Sequence, residues 1–181
     1  MEGIPILMQR LNLKRLGLYK LFSALDLKTG CEIGVAEGGN AKVICDTIEN
    51  VKLFGIDHWL RSSYYESMLR RLDSYIKGNG FVPVKKTSLE AVDDFADESL
   101  DFVYIDADHS YEHVKQDIEI WSKKVRNGGI VSGHDYYVHS GTDVIKAVTE
   151  YIKGTDIDLF VLADEPGKWL HHIAISFFWI K

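Results

Sequence analysis

Seven short apolar runs punctuate this chain, and stretches of helical period separate most of them; that alternation restricts the fold more than any single residue does. The runs are Gly30 to Val35, Val51 to Ile56, Phe81 to Val84, Leu100 to Ile105, Gly129 to Ser132, Leu159 to Ala163 and Ile173 to Ile180. Between them the pattern predicts helices at Asn40 to Glu49, Tyr64 to Lys77, Leu89 to Phe95, Tyr111 to Val125 and Thr142 to Lys153, with Asn40, Ser88 and Thr142 as capping residues. An earlier helix, Leu13 to Leu25, precedes the first strand. Parallel strands joined by helices cross over right-handedly, which covers both faces of the sheet. The expected fold is α/β: a single doubly wound, Rossmann-like domain with a seven-stranded, mostly parallel sheet. Only nine residues, Asp164 to His172, separate the last two runs. That is too short for a crossover helix, so the last strand should be antiparallel, with Pro166-Gly167 in the turn. The division expected is an N-terminal helical segment, 1–27, and a ligand-binding domain, 28–181.

Composition narrows the class. A chain of 181 residues buries enough surface to fold without a disulfide or a structural metal. The two cysteines, Cys31 and Cys45, lack the paired spacing of a zinc site and read as buried thiols in a reducing compartment. A net charge of -6 without a long basic run argues against a nucleic-acid partner. No apolar run approaches the ~18 residues of a membrane span, and no secretory leader is visible, so a cytoplasmic protein without a membrane partner is expected.

In a doubly wound sheet, ligands collect at the carboxyl ends of the strands. The first of these ends reads Glu32-Ile-Gly34-Val-Ala-Glu37-Gly38, a glycine-rich turn entering a helix. Its spacing is not that of a pyrophosphate loop, and Glu32 and Glu37 would repel a phosphate, so the ligand there should be cationic or neutral. The second strand ends at Asp57, where such a site places its acceptor for ribose hydroxyls. A nucleoside without phosphates is implied. Each feature alone also fits a plain tight turn or a loop cap.

These residues, with the terminal hairpin, resemble the class I S-adenosylmethionine-dependent methyltransferases. Phe54-Gly-Ile-Asp-His-Trp59, Asp101 to Tyr111 and Gly128 to Tyr136 are similar, more narrowly, to the small methyltransferase domain 24 group. The resemblance spans residues 28–180. It implies that Glu32, Gly34, Glu37 and Gly38 hold the methionyl part of the cofactor, that Asp57 holds the ribose, and that Ser88 lies beside the adenine. His58 and Trp59 would pack against the nucleoside, and Asp106 would close the cofactor site from the fourth strand.

The fourth and fifth strand ends deliver Asp106-Ala-Asp108-His109 and His134-Asp135 to adjacent loops. Carboxylates and imidazole brought together can ligate Mg2+ or Mn2+, with Asp106, His134 and Asp135 as candidate ligands. This resembles the metal-dependent O-methyltransferases of the catechol and macrolide-sugar types, which carry Asp-Asn or Asp-Asp where this chain has His134-Asp135. Without a metal, His109 or His134 would be the general base for an acceptor hydroxyl. The function expected is O-methylation of a small molecule or sugar. Alternatives are a methyltransferase-like nucleoside-binding protein without turnover and an NAD-dependent oxidoreductase. With so little chain left for an acceptor cap, an open cleft or a homodimer is expected.

Overall fold

In the computed structural model, which describes residues 8–11, 14–137, 143–162 and 175–181, the chain opens on a strand that the apolar pattern does not announce, Met8–Leu11 (β1). Helix α1 (Arg15–Ala24) then leads into β2 (Thr29–Ile33), α2 (Gly39–Thr47), β3 (Lys52–Asp57), α3 (Ser62–Lys77) and β4 (Phe81–Lys85). A single turn, α4 (Ser88–Ala91), runs on as a 3-10 turn over Val92–Asp94. The chain continues through β5 (Leu100–Ile105), α5 (Tyr111–Lys124), β6 (Val125–Gly133), α6 (Val144–Ile152), β7 (Leu159–Leu162) and β8 (Ser176–Ile180). The expected Pro166-Gly167 turn, the Thr142 cap, and the ends of the last two runs at Ala163 and Ile173 lie outside the described residues.

All seven expected strands form, and β1 adds an edge, so the order is β1-β7-β8-β6-β5-β2-β3-β4. Every pairing is parallel except those of β8, which runs antiparallel to both β6 and β7. Strand β6 starts at Val125 rather than Gly129 because Val125 pairs with Leu100 ahead of a register shift, after which Phe102 pairs with Ile130. Capping also differs from expectation at two helices. Thr87, not Ser88, caps α4 in a reciprocal box with Glu90, and Asn40 sits inside the first turn of α2 behind the left-handed Gly38.

Side chains on one sheet face pack with α4, α5 and α6 around Val103, Ile118, Trp121 and Val148. Those on the other face pack with α1, α2 and α3 around Phe22, Ile44, Leu72 and Phe102. Helix α1 therefore belongs to the core: Leu18, Tyr19 and Phe22 are buried, with Tyr19 and Phe22 against Tyr104 and Phe102. Among the described residues no helix is long and apolar enough to cross a membrane.

Candidate active site

The hydrogen-bond ladders run one residue past the strand ends. Gly34 donates to Ile56 at 2.9 Å, Asp106 to Ile33 at 2.8 Å and His134 to Ile105 at 3.0 Å, all between backbone groups. Gly34, Asp57, Asp106 and His134 are thereby set side by side along one edge of the sheet. The chain leaves β2 and β5 in opposite directions across the sheet, which opens a crevice between them. Gly34 has φ of +88, and a Cβ there would lie 2.2 Å from the Asp106 carbonyl oxygen. Only glycine lets the two strand ends approach this closely.

Asp57 organises the turn. Its Oδ2 accepts from the backbone N–H of Val35 at 3.1 Å and of Ala36 at 2.9 Å, and its Oδ1 from that of Trp59 at 2.7 Å. A carboxylate has about four lone-pair sites, so most of its capacity shapes the loop and little is left for a ribose hydroxyl. Trp59 is not among the residues that line the two cavities beside the crevice. It is buried, its indole N–H donates to the Ala36 carbonyl at 2.8 Å, and its ring packs on Tyr65. A large aromatic after a strand end is drawn into the core when its one donor finds a backbone acceptor.

Two cavities flank the crevice. The larger, about 570 Å3, is lined by Gly34, Asp57, His58, Ser88, Asp106 and Asp117, among others. The second, about 370 Å3, is lined by Glu32, Gly34, Glu37, Asn40, Arg71 and Asp106, among others. Both fall in the range of small-molecule sites. Gly34, Ala36 and Asp106 line both, so one ligand can run from one cavity to the other.

Glu32 lies at the floor of the smaller cavity, 1 % exposed. Its Oε1 accepts from Asn40 at 2.9 Å, and its Oε2 has no partner among the described residues. Burial pushes its carboxyl up to about 8, helped by the Asp106 charge and opposed by the Asn40 hydrogen bond. A buried carboxyl with a free oxygen is suited to a cationic ligand, whose charge would restore the ionised form.

The acid and histidine clusters converge as expected, but in an arrangement the sequence does not show. Donor atoms of Asp106, His134 and Asp135 lie within 4.8 Å of one another. Arg15, from the first turn of α1, reaches this cluster. Its guanidinium meets His134 Nε2 at 2.8 Å and Asn40 Oδ1 at 3.2 Å. Arginine only donates, so His134 Nε2 accepts and the ring hydrogen sits on Nδ1. That Nδ1 is 3.2 Å from Asp135 Oδ1 and 3.8 Å from Asp106 Oδ1. His109 Nε2 is wedged between the same two acids, 2.8 Å from Asp135 Oδ2 and 3.5 Å from Asp106 Oδ1.

Asp106 and then Asp135 draw His109 up to about 10, against the effect of its burial. Burial works to raise Asp135 as well, but His109 and His134 hold it well below the usual carboxylate range. The two acids favour the protonated form of His109, and the Nε2 lone pair of His134 is engaged by Arg15. Asp106 is the member of the cluster that lines both cavities beside the crevice.

Arg15, Asn40 and Asp117 are the site residues that sequence reasoning missed. Asn40 carries only the signal of following a glycine turn, and its inward orientation shows in its bonds to Tyr19, Arg15 and Glu32.

A family model described as "Methyltransferase domain" matches residues 31–136. An uncharacterised protein of Acanthamoeba polyphaga mimivirus is 30 % identical over 124 residues, 66 % of this chain and 56 % of that protein. One of Sinorhizobium fredii is 27 % identical over 127 residues, 64 % of this chain but 14 % of its own length. The match thus spans about half or less of these curated relatives. Among solved structures, an O-methyltransferase from Bacillus cereus in complex with SAH superposes with a TM-score of 0.73 at 14 % identity, covering 92 % of this chain and 80 % of that one.

Proposed function

Because the chain belongs to the methyltransferase-domain family and has the class I methyltransferase fold, we propose that it transfers the methyl group of S-adenosylmethionine to a hydroxyl oxygen of a small molecule or sugar. The observation that carries this is the position of Asp106, a wall shared by the two cavities with the Asp-His-Asp cluster behind it. The nucleoside half of the cofactor would occupy the larger cavity, against His58, Asp57 and Ser88. The methionyl half would pass Gly34 into the smaller one, whose lining includes the buried Glu32 carboxyl and Asn40.

In the transfer the S–CH3 bond breaks, its electron pair stays on sulfur, and an acceptor lone pair forms the O–CH3 bond. The hydroxyl proton leaves toward the nearest acceptor, for which Asp106 is placed. Positive charge disperses as the methyl moves, so holding oxygen, carbon and sulfur in line supplies much of the rate. His109 and Arg15 offset the charges of Asp106 and Asp135, which keeps the acceptor side near electroneutral.

Asp106, Asp135 and His134 suit Mg2+ or Mn2+ by donor type, but the arrangement does not fit a divalent ion. The His134 nitrogen facing the acids carries hydrogen, and His109 stands between the carboxylates. The reading favoured is metal-independent transfer.

Incubation with S-adenosylmethionine carrying a 13C methyl group, across a panel of phenols, sugars and amines, tests this in EDTA and in Mg2+ arms. A labelled methyl ether formed equally in both arms is the expected result. Label on nitrogen, binding of NAD in place of S-adenosylmethionine, or cofactor binding without transfer to any acceptor would each overturn it. Turnover only with Mg2+ would return the metal reading to first place.

A further inference from the structure

The wall of the larger cavity formed by α5 holds a carboxylate that methyl transfer does not use. Asp117 is 4 % exposed and lines the cavity beside Ser88, Leu89 and Gln116. The indole N–H of Trp121 donates to Ser88 Oγ at 2.7 Å. An indole has a donor and no acceptor, so Ser88 must accept from it, and the serine's own hydrogen is directed to Asp117 Oδ1. The relay Trp121 to Ser88 to Asp117 therefore has one polarity. Among the described residues nothing donates to Asp117 Oδ2, and that oxygen is not among the sealed, unpartnered atoms of the interior. It is an acceptor held in place and open to the cavity.

From this geometry we propose that Asp117, oriented by Ser88 and Trp121, reads the exocyclic amino group of the purine, so that the cavity selects an aminopurine nucleoside over its oxo counterpart. The inference rests on the reading above that this cavity takes the nucleoside of S-adenosylmethionine. Adenine presents two N–H bonds at its six position, whereas hypoxanthine presents a carbonyl oxygen there, which would face a carboxylate oxygen with no hydrogen between them. Burial pushes the Asp117 carboxyl up to about 6, with Ser88 opposing. It is thus ionised at pH 8, where the comparison is best made. Leu89 and Ile56 supply apolar surface for the flat ring, and Ser88 is a positioning residue.

Calorimetric titration of the full chain at pH 8 with S-adenosylhomocysteine and with its deaminated analogue, S-inosylhomocysteine, tests the proposal. The adenosyl form should bind at least about tenfold more tightly, the scale of one unmatched polar contact. In Asp117→Asn the side-chain carbonyl can still accept from Ser88 while its NH2 turns to the cavity. That variant should lose most of the preference or reverse it, with adenosyl affinity falling by about tenfold. Equal affinities in the wild type would overturn the proposal whatever the variant does. So would a folded Asp117→Asn, checked by circular dichroism, that keeps the wild-type preference. Binding of neither nucleoside would remove the methyltransferase reading itself, whereas tight but undiscriminating binding would remove this inference alone.

Discussion

A guanidinium can only donate, and Arg15 directs two of its N–H groups at the candidate site from a helix outside the residues matched by the family model. Arg15→Ala should leave His134 Nε2 without its donor, at a cost of ~1–3 kcal/mol, while Asn40 Oδ1 keeps the Tyr19 hydroxyl. Urea denaturation measures that loss, and the 15N shifts of His134 should move from one tautomer to a mixture; unchanged shifts would refute the assignment. At Gly34, an added methyl would meet the Asp106 carbonyl oxygen in a backbone conformation that favours glycine. Gly34→Ala should therefore cut S-adenosylhomocysteine affinity by at least about tenfold in calorimetry, since both cavities share that wall. Glu32, Gly34, Asp57 and Asp106 were legible in the sequence because a strand end has few ways to receive a ligand. Arg15 was not, because its contact with His134 spans 119 positions and nothing local marks which way an arginine turns. The surroundings of His109 and His134 are only partly local: Asp106 and Asp135 lie close in sequence to one or the other, whereas Arg15 comes from α1.

Element by element, hydrophobic period located the helices to within a few residues, since a helix that covers a sheet must bury a stripe. It missed β1, whose four residues Met-Gln-Arg-Leu carry no strong alternation and whose strand exists through its backbone pairing with β7. Helix α1 was found in sequence but read as leading into the domain, whereas its buried face completes one layer of the core. Phe22 is fully buried and its ring lies 4.7 Å from that of Phe102. Phe22→Ala should destabilise the fold by ~3–5 kcal/mol in chemical denaturation. It should also weaken the site, because the same helix carries Arg15. A stable variant would mean that α1 rests on the sheet without contributing to it.

For the molecule as a whole, the buried charges set a pH profile. Glu32 ionises near 4.5 in an unfolded chain and only at about 8 when folded. The folded state thus retains a proton that the unfolded state has lost, and stability declines across that window by up to about 1.4 kcal/mol per pH unit. His109, raised from 6.5 to about 10, contributes stability that is complete below 6.5 and lost as pH rises through 10. Urea titrations from pH 5 to pH 10 should show a continuous fall in stability. Glu32→Gln should flatten the part below pH 8 and leave the upper part intact; an unchanged lower slope would show that Glu32 is ionised in the folded protein. The order of the sheet has a consequence in time as well. Strands β1 and β7 join the other strands only through β8, which is inserted between β7 and β6. During synthesis β1 has no route into the sheet until residues 176–180 have left the ribosome, at about 5–20 residues per second. Until then β6 presents an open edge that any extended segment could occupy, so a chaperone that shields this edge would act until β8 emerges.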